Sequence, residues 1–272
     1  MSCPDCNRGS ILAGTPTGSL TKLNGVEAYF APAVPSAEGV TKPFALVLLS
    51  DAFGLPLVNT KIMADKFAKD LACDVWIPDL FNGEPILDVN GLDHLLPQRA
   101  HHWPLWDKIR LFIRLLPRIG VLRRNRPSVV SLRTAGFIKT LREEKKYSKI
   151  GAAGYCFGGT IAALLAPSGF LNSIVICHPG SLTEADIEAI DIPTAWACAE
   201  DDMSFSPEKR EKAEAIFAAR KGRQDFVPYE FVDYKGTAHG FACRPNFAFE
   251  DVKVGFEKCM EQTAAWILKT LE

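Results

Sequence analysis

One cysteine in the sequence lies in a setting that could make it a nucleophile. Cys156 is the third residue of Gly154-Tyr155-Cys156-Phe157-Gly158-Gly159, which separates the apolar run 150–153 from the apolar residues 160–165. An apolar strand that passes through a tight, glycine-flanked turn into a helix is typical of a nucleophile elbow, here with Cys where the G-x-S-x-G form has Ser. Gly154 and Gly158 leave the room that such a strained turn needs. The N-terminus of the following helix would favour both a thiolate and an oxyanion. The alternative is a buried cysteine in an ordinary glycine-rich turn.

Two further reactive groups follow two later predicted strands. Glu200-Asp201-Asp202 comes after the apolar run 193–199, and His239 comes after the run 226–233. Catalytic groups of open α/β sheets lie at the carboxyl ends of the strands, and nucleophile, acid and histidine in this order is the α/β-hydrolase order. Each group has a plainer alternative, since Asp201 or Asp202 could cap the helix near residue 207 and a single loop histidine is more often structural. Three suitable residues in the correct order favour a catalytic triad.

The elements around these residues alternate between strands and helices. Asn24-Gly25, between the runs 18–23 and 26–31, predicts an antiparallel hairpin at a sheet edge. Residues 43–50 form a continuous apolar run, as expected of a strand that is buried on both faces. We predict further strands at 73–78, 150–153, 173–178, 193–199 and 226–233, and helices at 60–71, 131–146, 183–189, 208–220 and 247–271. This alternation predicts a single α/β domain over residues 1–272, with a mainly parallel sheet and helices on both faces.

The alternation stops between about residues 82 and 127. Residues 101–126 carry seven Lys or Arg against one acidic residue, and Asp107, Arg110, Arg114 and Arg118 recur at helical spacing. Trp106, Ile109, Ile113 and Leu116 fall on the other side of that helix. Three interpretations stay open: a solvated helix over the sheet edge, a cap whose cations attract an anionic substrate, and a helix that lies on a membrane surface.

The remaining histidines make weaker candidates for the base. His94, His101 and His102 lie in this irregular segment, whereas His178 follows a strand but precedes the acidic residues. His239 is therefore the expected base.

Composition narrows the class of protein. The chain has 272 residues, of which 47% are hydrophobic and 23% charged, and its net charge of −1 gives no reason to expect a nucleic acid partner. No apolar run is long enough to span a membrane, and the N-terminus lacks the apolar core of a signal peptide. Eight scattered cysteines form no disulfide framework, so a reducing, cytosolic location is expected. Cys3 and Cys6 have a zinc-knuckle spacing without a second pair, and we expect neither a metal nor another cofactor.

Taken together, these stretches resemble the dienelactone hydrolase family of the α/β-hydrolase superfamily. The resemblance rests on G-x-C-x-G-G at 154–159, on E-x-D-x-x-F at 200–205 and on His239-Gly240-Phe241, with Asp51-Ala52-Phe53-Gly54 and Pro78-Asp79-Leu80-Phe81 in support. The opening residues and Gly14-Thr15-Pro16-Thr17-Gly18 look like those of fungal members. The resemblance implies an α/β-hydrolase fold and a hydrolase of esters, lactones or thioesters.

The resemblance also implies roles for individual residues. Cys156 would be the nucleophile, His239 the base and Asp202 the acid that orients it, because Asp202 is the third residue of E-x-D-x-x-F. The backbone N–H groups of Phe157 and Ala52 would form the oxyanion hole. Asp51 takes the place of an acidic residue that modulates the thiol.

The expected partner is a small-molecule ester or lactone. Bacterial members clamp a carboxylate with two arginines, but here Asn82-Gly83 fills the first place and Arg244 stands one residue beyond the second, so dienelactone itself is not expected. Arg244 could still meet an anion, and the aromatic residues Phe53, Phe81, Trp103 and Trp106 could line an apolar pocket. That would suit the polyketide-derived esters of fungal secondary metabolism, in which relatives are implicated.

Other assignments stay open beside the hydrolase. Class I amidotransferases also place Cys on such a turn, but no Glu stands beside His239 here. A non-catalytic ligand-binding module is the main alternative function. The sequence also leaves open whether the chain forms a homodimer.

Overall fold

A single sheet of eight strands organises the chain. The computed structural model describes residues 11–88 and 95–272, so that Cys3, Cys6 and His94 lie outside the described residues. The strands are β1 (Ser19–Leu23), β2 (Val26–Ala31), β3 (Ala45–Leu49), β4 (Asp74–Pro78), β5 (Ile150–Tyr155), β6 (Ser173–Cys177), β7 (Thr194–Asp201) and β8 (Tyr229–Ala238). Their order in the sheet is β1-β2-β4-β3-β5-β6-β7-β8, in which β1–β2 and β2–β4 are antiparallel and the other pairs are parallel. The predicted mainly parallel sheet is confirmed.

The first two strands form the predicted edge hairpin. Asn24 and Gly25 have φ angles of 50° and 75°, and Leu23 pairs with Val26 across the turn. Two successive residues with positive φ make the two-residue turn whose twist matches that of the strands, which is why Asn-Gly is favoured there.

The helices cover both faces of the sheet and bury its central strands. Every residue of β3 and β5 is buried, as continuous apolar runs in parallel strands require. Helices α1 (Val58–Asp70) and α8 (Glu250–Leu271) pack on one face. The other face carries α4 (Pro127–Lys145), α5 (Phe157–Leu165), α6 (Glu184–Glu188) and α7 (Pro207–Ala218).

Two short helices follow in the irregular segment, α2 (Leu105–Leu115) and α3 (Ile119–Arg124), joined by a 3-10 turn over Leu116–Arg118. Leu111 and Val121 join the apolar cluster beneath them, and the Arg118 guanidinium donates hydrogen bonds to the carbonyls of Pro85 and Ile86. The helical spacing was predicted correctly.

The apolar side of α2 lies toward solvent, which the sequence did not indicate. Trp106, Ile109, Ile113 and Leu116 are exposed, and Leu111 is the one buried residue of this helix. The inward stripe runs instead through positions 107, 111 and 115, four residues apart.

Three strands extend further than predicted, which brings the candidate catalytic residues directly onto strand ends. β5 ends at Tyr155, β7 at Asp201 and β8 at Ala238, so Cys156, Asp202 and His239 each follow at once. β8 had been predicted at 226–233; it starts and ends later because it pairs with β7 as far as Asp201↔Ala238, across an irregularity at Ala199/Asp201. Among the described residues no helix is both long and apolar enough to cross a membrane.

Candidate active site

Cys156 stands on a strained turn between β5 and α5. Its φ of 53° and ψ of −113° are rare for a residue with a side chain, and such strain is characteristic of functional positions. A Cβ at Gly154 would overlap the Gly158 carbonyl, and one at Gly158 would overlap the Leu49 carbonyl. The two glycines are therefore required by close backbone packing, and the predicted elbow is present.

His239 and Asp202 form a buried, hydrogen-bonded pair. His239 Nδ1 lies 2.9 Å from both Oδ1 and Oδ2 of Asp202. Asp202 Oδ1 also accepts hydrogen bonds from the N–H groups of Ser204, at 2.8 Å, and Phe205, at 3.1 Å. Burial alone would raise the pKa of Asp202, but the charge of His239 and these hydrogen bonds outweigh it and lower the pKa. Asp202 is therefore held as a carboxylate that fixes the imidazole.

The charges around His239 favour its protonated form. Burial lowers the pKa of His239, but the Cys156 side chain and the Asp202 carboxylate outweigh burial and raise the pKa to about 10. Among the six described cysteines Cys156 alone is partly exposed.

Asp201, the neighbouring acid, has a different role. Its Oδ2 accepts a hydrogen bond of 2.8 Å from the N–H of His101, and its side chain is 43% exposed. The geometry thus separates the two aspartates that the sequence placed side by side. The Asp202 carboxylate contacts the His239 ring, whereas Asp201 accepts from the His239 N–H through its backbone carbonyl, at 3.3 Å.

The two backbone N–H groups predicted for an oxyanion hole are those of Phe157 and Ala52. Phe157 is the first residue of α5, so its N–H has no partner within the helix. Ala52 follows β3, and its N–H donates to no acceptor in the described ranges, while its carbonyl accepts from Leu87 at 2.9 Å. Both donors are therefore available to a developing negative charge.

Asp51 and Arg244 form a buried ion pair beside the thiol. Arg244 Nε lies 3.0 Å from Asp51 Oδ2, which also accepts from the Cys243 thiol at 3.4 Å. The side chains of Arg244 and Asp51 are 8% and 2% exposed, and the guanidinium stacks over the Phe53 ring at 5.0 Å. Burial lowers the pKa of Arg244, but the charges of Asp51, Cys243 and Cys156 outweigh it and raise the pKa. Arg244 is thus engaged with the groups around the thiol, whereas the sequence suggested a substrate ligand.

The four aromatic candidates for the substrate pocket separate into two groups. Phe53 and Phe81 are buried, and the Phe81 ring lies 5.2 Å from that of Phe157, next to the nucleophile. Trp103 is half-buried and its Nε1 donates to the Leu95 carbonyl at 2.9 Å. Trp106 is 71% exposed on the outer side of α2, because the helix packs on the sheet through Leu111 instead.

His178 is a buried residue of the site that the sequence interpretation set aside. Its ring lies edge-on to that of His239, with 5.1 Å between the centroids, and neither ring nitrogen has a hydrogen-bond partner among the described residues. Burial and the charge of His239 lower the pKa of His178 well below its usual value, so it stays neutral. The sequence could have identified His178 as a site residue from its position directly after β6, at the same sheet edge as the triad.

Metal ligands do not converge in the described part of the chain. No three His, Cys, Asp or Glu side chains within residues 11–88 and 95–272 are placed to hold an ion. The Cys3/Cys6 pair falls outside those ranges.

Comparisons with known proteins place this site in a family. A hydrolase of Aspergillus violaceofuscus, pyvD, is 28% identical over 268 residues, which cover 98% of this chain and 96% of that protein. A hydrolase of Talaromyces stipitatus, tropI, is 27% identical over 98% of this chain and 94% of its own length. The crystal structure of a putative dienelactone hydrolase from Klebsiella pneumoniae superposes with a TM-score of 0.64 at 16% identity, covering 91% of this chain and 98% of the other, and shares its fold.

The family model described as "Dienelactone hydrolase family" matches residues 30–270. This range contains all the motifs on which the resemblance rested, and the fungal relatives agree with the likeness of the opening residues. The chain therefore belongs to the dienelactone hydrolase family and is, as the sequence predicted, a hydrolase of carboxylic esters or lactones.

Proposed function

We propose that the chain is a cysteine hydrolase that cleaves esters, lactones or thioesters with the triad Cys156, His239 and Asp202. The observation that carries this proposal is the buried pair of Asp202 and His239 at 2.9 Å, on the same sheet edge as Cys156 on its strained turn. In the proposed triad the acid orients the base and the base activates the nucleophile, which is the arrangement that nucleophilic catalysis requires.

The first half of the reaction acylates the cysteine. The thiolate of Cys156 attacks the carbonyl carbon, and the oxyanion of the tetrahedral intermediate accepts hydrogen bonds from the N–H groups of Phe157 and Ala52. When the intermediate collapses, the His239 imidazolium gives its proton to the leaving alkoxide. The alcohol departs and a thioester remains on Cys156.

The second half releases the acid. His239, now neutral, takes a proton from a water molecule whose oxygen attacks the thioester carbonyl, and the same two N–H groups hold the second oxyanion. Collapse expels the thiolate of Cys156, the protonated His239 again pairs with it, and the carboxylic acid leaves.

Asp51 and Arg244 together would modulate the thiol in this scheme. Asp51 alone would oppose a thiolate, but its charge is balanced by Arg244 at 3.0 Å. The guanidinium attracts the Cys156 thiolate, as its raised pKa reflects. The thiol-modulating role expected of Asp51 is therefore assigned to the ion pair.

The substrate we propose is a small, largely apolar ester or lactone. Phe53 and Phe81 are apolar walls near the nucleophile, and Arg244 is occupied by Asp51. We propose further that the chain acts in fungal secondary metabolism, on esters derived from polyketides; the relatives in two fungi are themselves hydrolases. The scattered cysteines, six of which are free in the described residues, support a reducing, cytosolic location.

We propose that the insertion predicted at about 82–127, of which residues 89–94 lie outside the described ranges, is a cap-like part of one hydrolase domain. Leu87 donates to the carbonyl of Ala52, and His101 donates to Asp201, so the segment touches the sheet edge at both the oxyanion loop and the end of β7. Such contacts support a cover over the carboxyl ends of the strands.

A panel of p-nitrophenyl esters, lactones and thioesters tests the proposal. The expected result is turnover by the wild type, with an acylated Cys156 peptide visible by mass spectrometry, and background rates for Cys156→Ala and His239→Ala. The matched control is Cys73→Ala, which removes a buried thiol at the start of β4 and should leave the rates unchanged. Undiminished hydrolysis by Cys156→Ala would refute the triad.

The alternative, a non-catalytic ligand-binding module, is distinguished by thiol reactivity. Burial raises the pKa values of Cys73 (to about 12), Cys177, Cys198 and Cys243. Cys156 is partly exposed and lies at the N-terminus of α5, so iodoacetamide should label it faster than any of these four near neutral pH. Labelling of Cys156 no faster than that of the buried thiols would favour the binding module.

A further inference from the structure

An exposed apolar strip runs along the outer side of α2. Its members are the large apolar residues that α2 and the following turn leave to solvent: Leu105, Trp106, Ile109, Phe112, Ile113 and Leu116. Trp106 and Phe112 are 71% and 64% exposed. Contiguous exposed apolar surfaces of this kind are uncommon in globular proteins and mark interaction sites.

The strip occupies one continuous arc of the helix. At about 100° per residue, its six side chains fall within an arc of about 120°, and Leu111, which packs on the sheet side, lies nearly opposite. The exposed apolar side chains are therefore a regular feature of the helix rather than scattered surface residues.

Cations flank the strip on both sides. By the same spacing Arg110 borders one side of the arc, with Arg114 beyond it, and Lys108 borders the other. Arg110 also pairs with Asp107, at 3.7 Å. Lys108 lies over the Trp103 ring at 4.9 Å, and Arg114 makes no ion pair with any described residue. Asp107 is the sole acidic residue among positions 101–126, although the whole chain has a net charge of −1. Positive charge is thus concentrated at the apolar strip.

We infer that the exposed apolar strip binds the surface of an anionic lipid bilayer, with α2 lying in the plane of the interface. An apolar arc that carries Trp, Phe and Leu, bordered by Lys and Arg, is the pattern of helices that bury one side among acyl chains while their cations meet acidic headgroups. Trp106 suits this interface because its ring is apolar and its N–H is polar.

A second copy of the chain fits the strip less well. In a symmetric dimer the same surface meets itself, so Arg110 and Arg114 of each copy would approach the cations of the other. Like charges brought together in this way oppose association. Acidic headgroups supply the complementary charge instead.

This inference goes beyond the proposed function and does not rest on it. The strip contains none of the residues that touch the reacting atoms, and membrane attachment would hold for a catalytically silent chain. Leu111, on the inner side of α2, packs into the apolar cluster of the sheet face that also carries α4 and α5.

Vesicle co-sedimentation of the full chain tests the inference. The probes are vesicles of phosphatidylcholine alone and vesicles with 30 mol% phosphatidylserine (an amount on the order of that in acidic membranes). The apolar variant is Phe112→Ser/Ile113→Ser, which leaves the charge unchanged, and its matched control is Leu20→Ser/Leu132→Ser, which removes two equally exposed apolar residues away from the strip. The charge variant is Arg110→Gln/Arg114→Gln.

Binding to the phosphatidylserine vesicles is expected, with much weaker binding to phosphatidylcholine and release by high salt. Phe112→Ser/Ile113→Ser should weaken the binding about tenfold or more, and Arg110→Gln/Arg114→Gln about 30-fold, from about fivefold for each cation. The control should bind as the wild type does, and circular dichroism should show all variants folded.

Three outcomes would overturn the inference. They are no sedimentation with either vesicle, equal loss of binding in the control and in the apolar variant, and a dimer in analytical ultracentrifugation that Phe112→Ser/Ile113→Ser dissociates. The last result would identify the strip as an interface between two copies of the chain.

Discussion

Replacing Asp202 by Asn tests the most specific feature of the proposed mechanism. Oδ1 of this residue accepts from the Ser204 and Phe205 N–H groups, and both oxygens face His239 Nδ1 at 2.9 Å. In Asp202→Asn the amide oxygen keeps the two backbone donors, so the NH2 group faces Nδ1. The NH2 donor requires Nδ1 to be an acceptor, so the ring proton of the neutral imidazole moves to Nε2. Nε2 can then no longer accept a proton from Cys156 or from water.

The size of the effect follows from these contacts. Loss of one buried hydrogen bond to a charged group amounts to about 1.5–3 kcal/mol, which is about 10- to 150-fold in rate at 1.36 kcal/mol per tenfold. The change of tautomer lowers the rate further, because His239 then no longer acts as a general base. General base catalysis as a whole contributes about 10²–10⁴-fold to the rate. We therefore expect kcat/KM to fall by about 10²–10⁴-fold with a measurable remnant, because the thiol and both oxyanion donors stay in place.

The pH profile supplies a second readout of the same change. The pKa of His239 is raised to about 10 in part by the Asp202 carboxylate, so removal of that charge lowers it. Loss of the imidazolium proton ends protonation of the leaving group, and the alkaline limb of kcat/KM should move to lower pH in Asp202→Asn. Steady-state hydrolysis of an alkyl ester, whose alkoxide leaving group needs this proton, between about pH 6 and 11, a range that includes the pKa of about 10, measures both effects.

Asp201→Asn is the matched control, since it makes the same chemical change one residue away. Its carboxylate bonds to the N–H of His101 and does not contact His239, so activity within about threefold of the wild type is expected. Equal losses in the two variants, or an Asp202→Asn enzyme as active as the wild type with an unmoved alkaline limb, would refute the assigned orientation of His239.

Three further predictions concern the surroundings of the triad. Arg244→Gln should lower the free energy of unfolding in urea by about 3–5 kcal/mol, because it leaves the Asp51 carboxylate buried and unpaired; a double variant that also carries Asp51→Asn should recover part of the loss, and no recovery would contradict the pairing. The pKa of His178 is depressed, so below about pH 6.5 the unfolded chain gains a proton that the native one does not, and stability falls with falling pH; His178→Phe should flatten this dependence in urea titrations at pH 5 to 7, and an unchanged slope would exclude His178 as its source. Gly158→Ala should yield little folded protein, measured as recovery in the monomeric fraction, since its Cβ would overlap the Leu49 carbonyl; a normally folded, active variant would show that the elbow is looser than described.

The fold was largely predictable because its signals are local. A continuous apolar run identifies a buried strand without knowledge of its neighbours, and Asn24-Gly25 identifies a hairpin from two residues. The elbow was predictable for the same reason, since Gly154 and Gly158 are close to Cys156 in the sequence. The strand ends at Asp201 and Ala238 were not predictable from local signals. They depend on pairing between β7 and β8, which are separate segments of the chain.

The surroundings of the triad were harder to predict because they depend on packing between distant segments. Nothing near Arg244 in the sequence indicates that its partner is Asp51 rather than a substrate. The orientation of Trp106 depends on which side of α2 finds a place on the sheet, and Leu111 takes that place. His178 was visible as a residue after a strand, but its contact with the His239 ring is a property of the assembled sheet edge.

The Asp51–Arg244 pair also bears on how the protein is made. The two residues are 193 positions apart, so during synthesis the carboxylate leaves the ribosome long before its guanidinium partner exists. Until then Asp51 would have to stay hydrated, which opposes early burial of the loop after β3 and of the Ala52 N–H beside it. Cys156 precedes both His239 and Arg244 in the chain, so the complete site can form only after residue 244 has emerged.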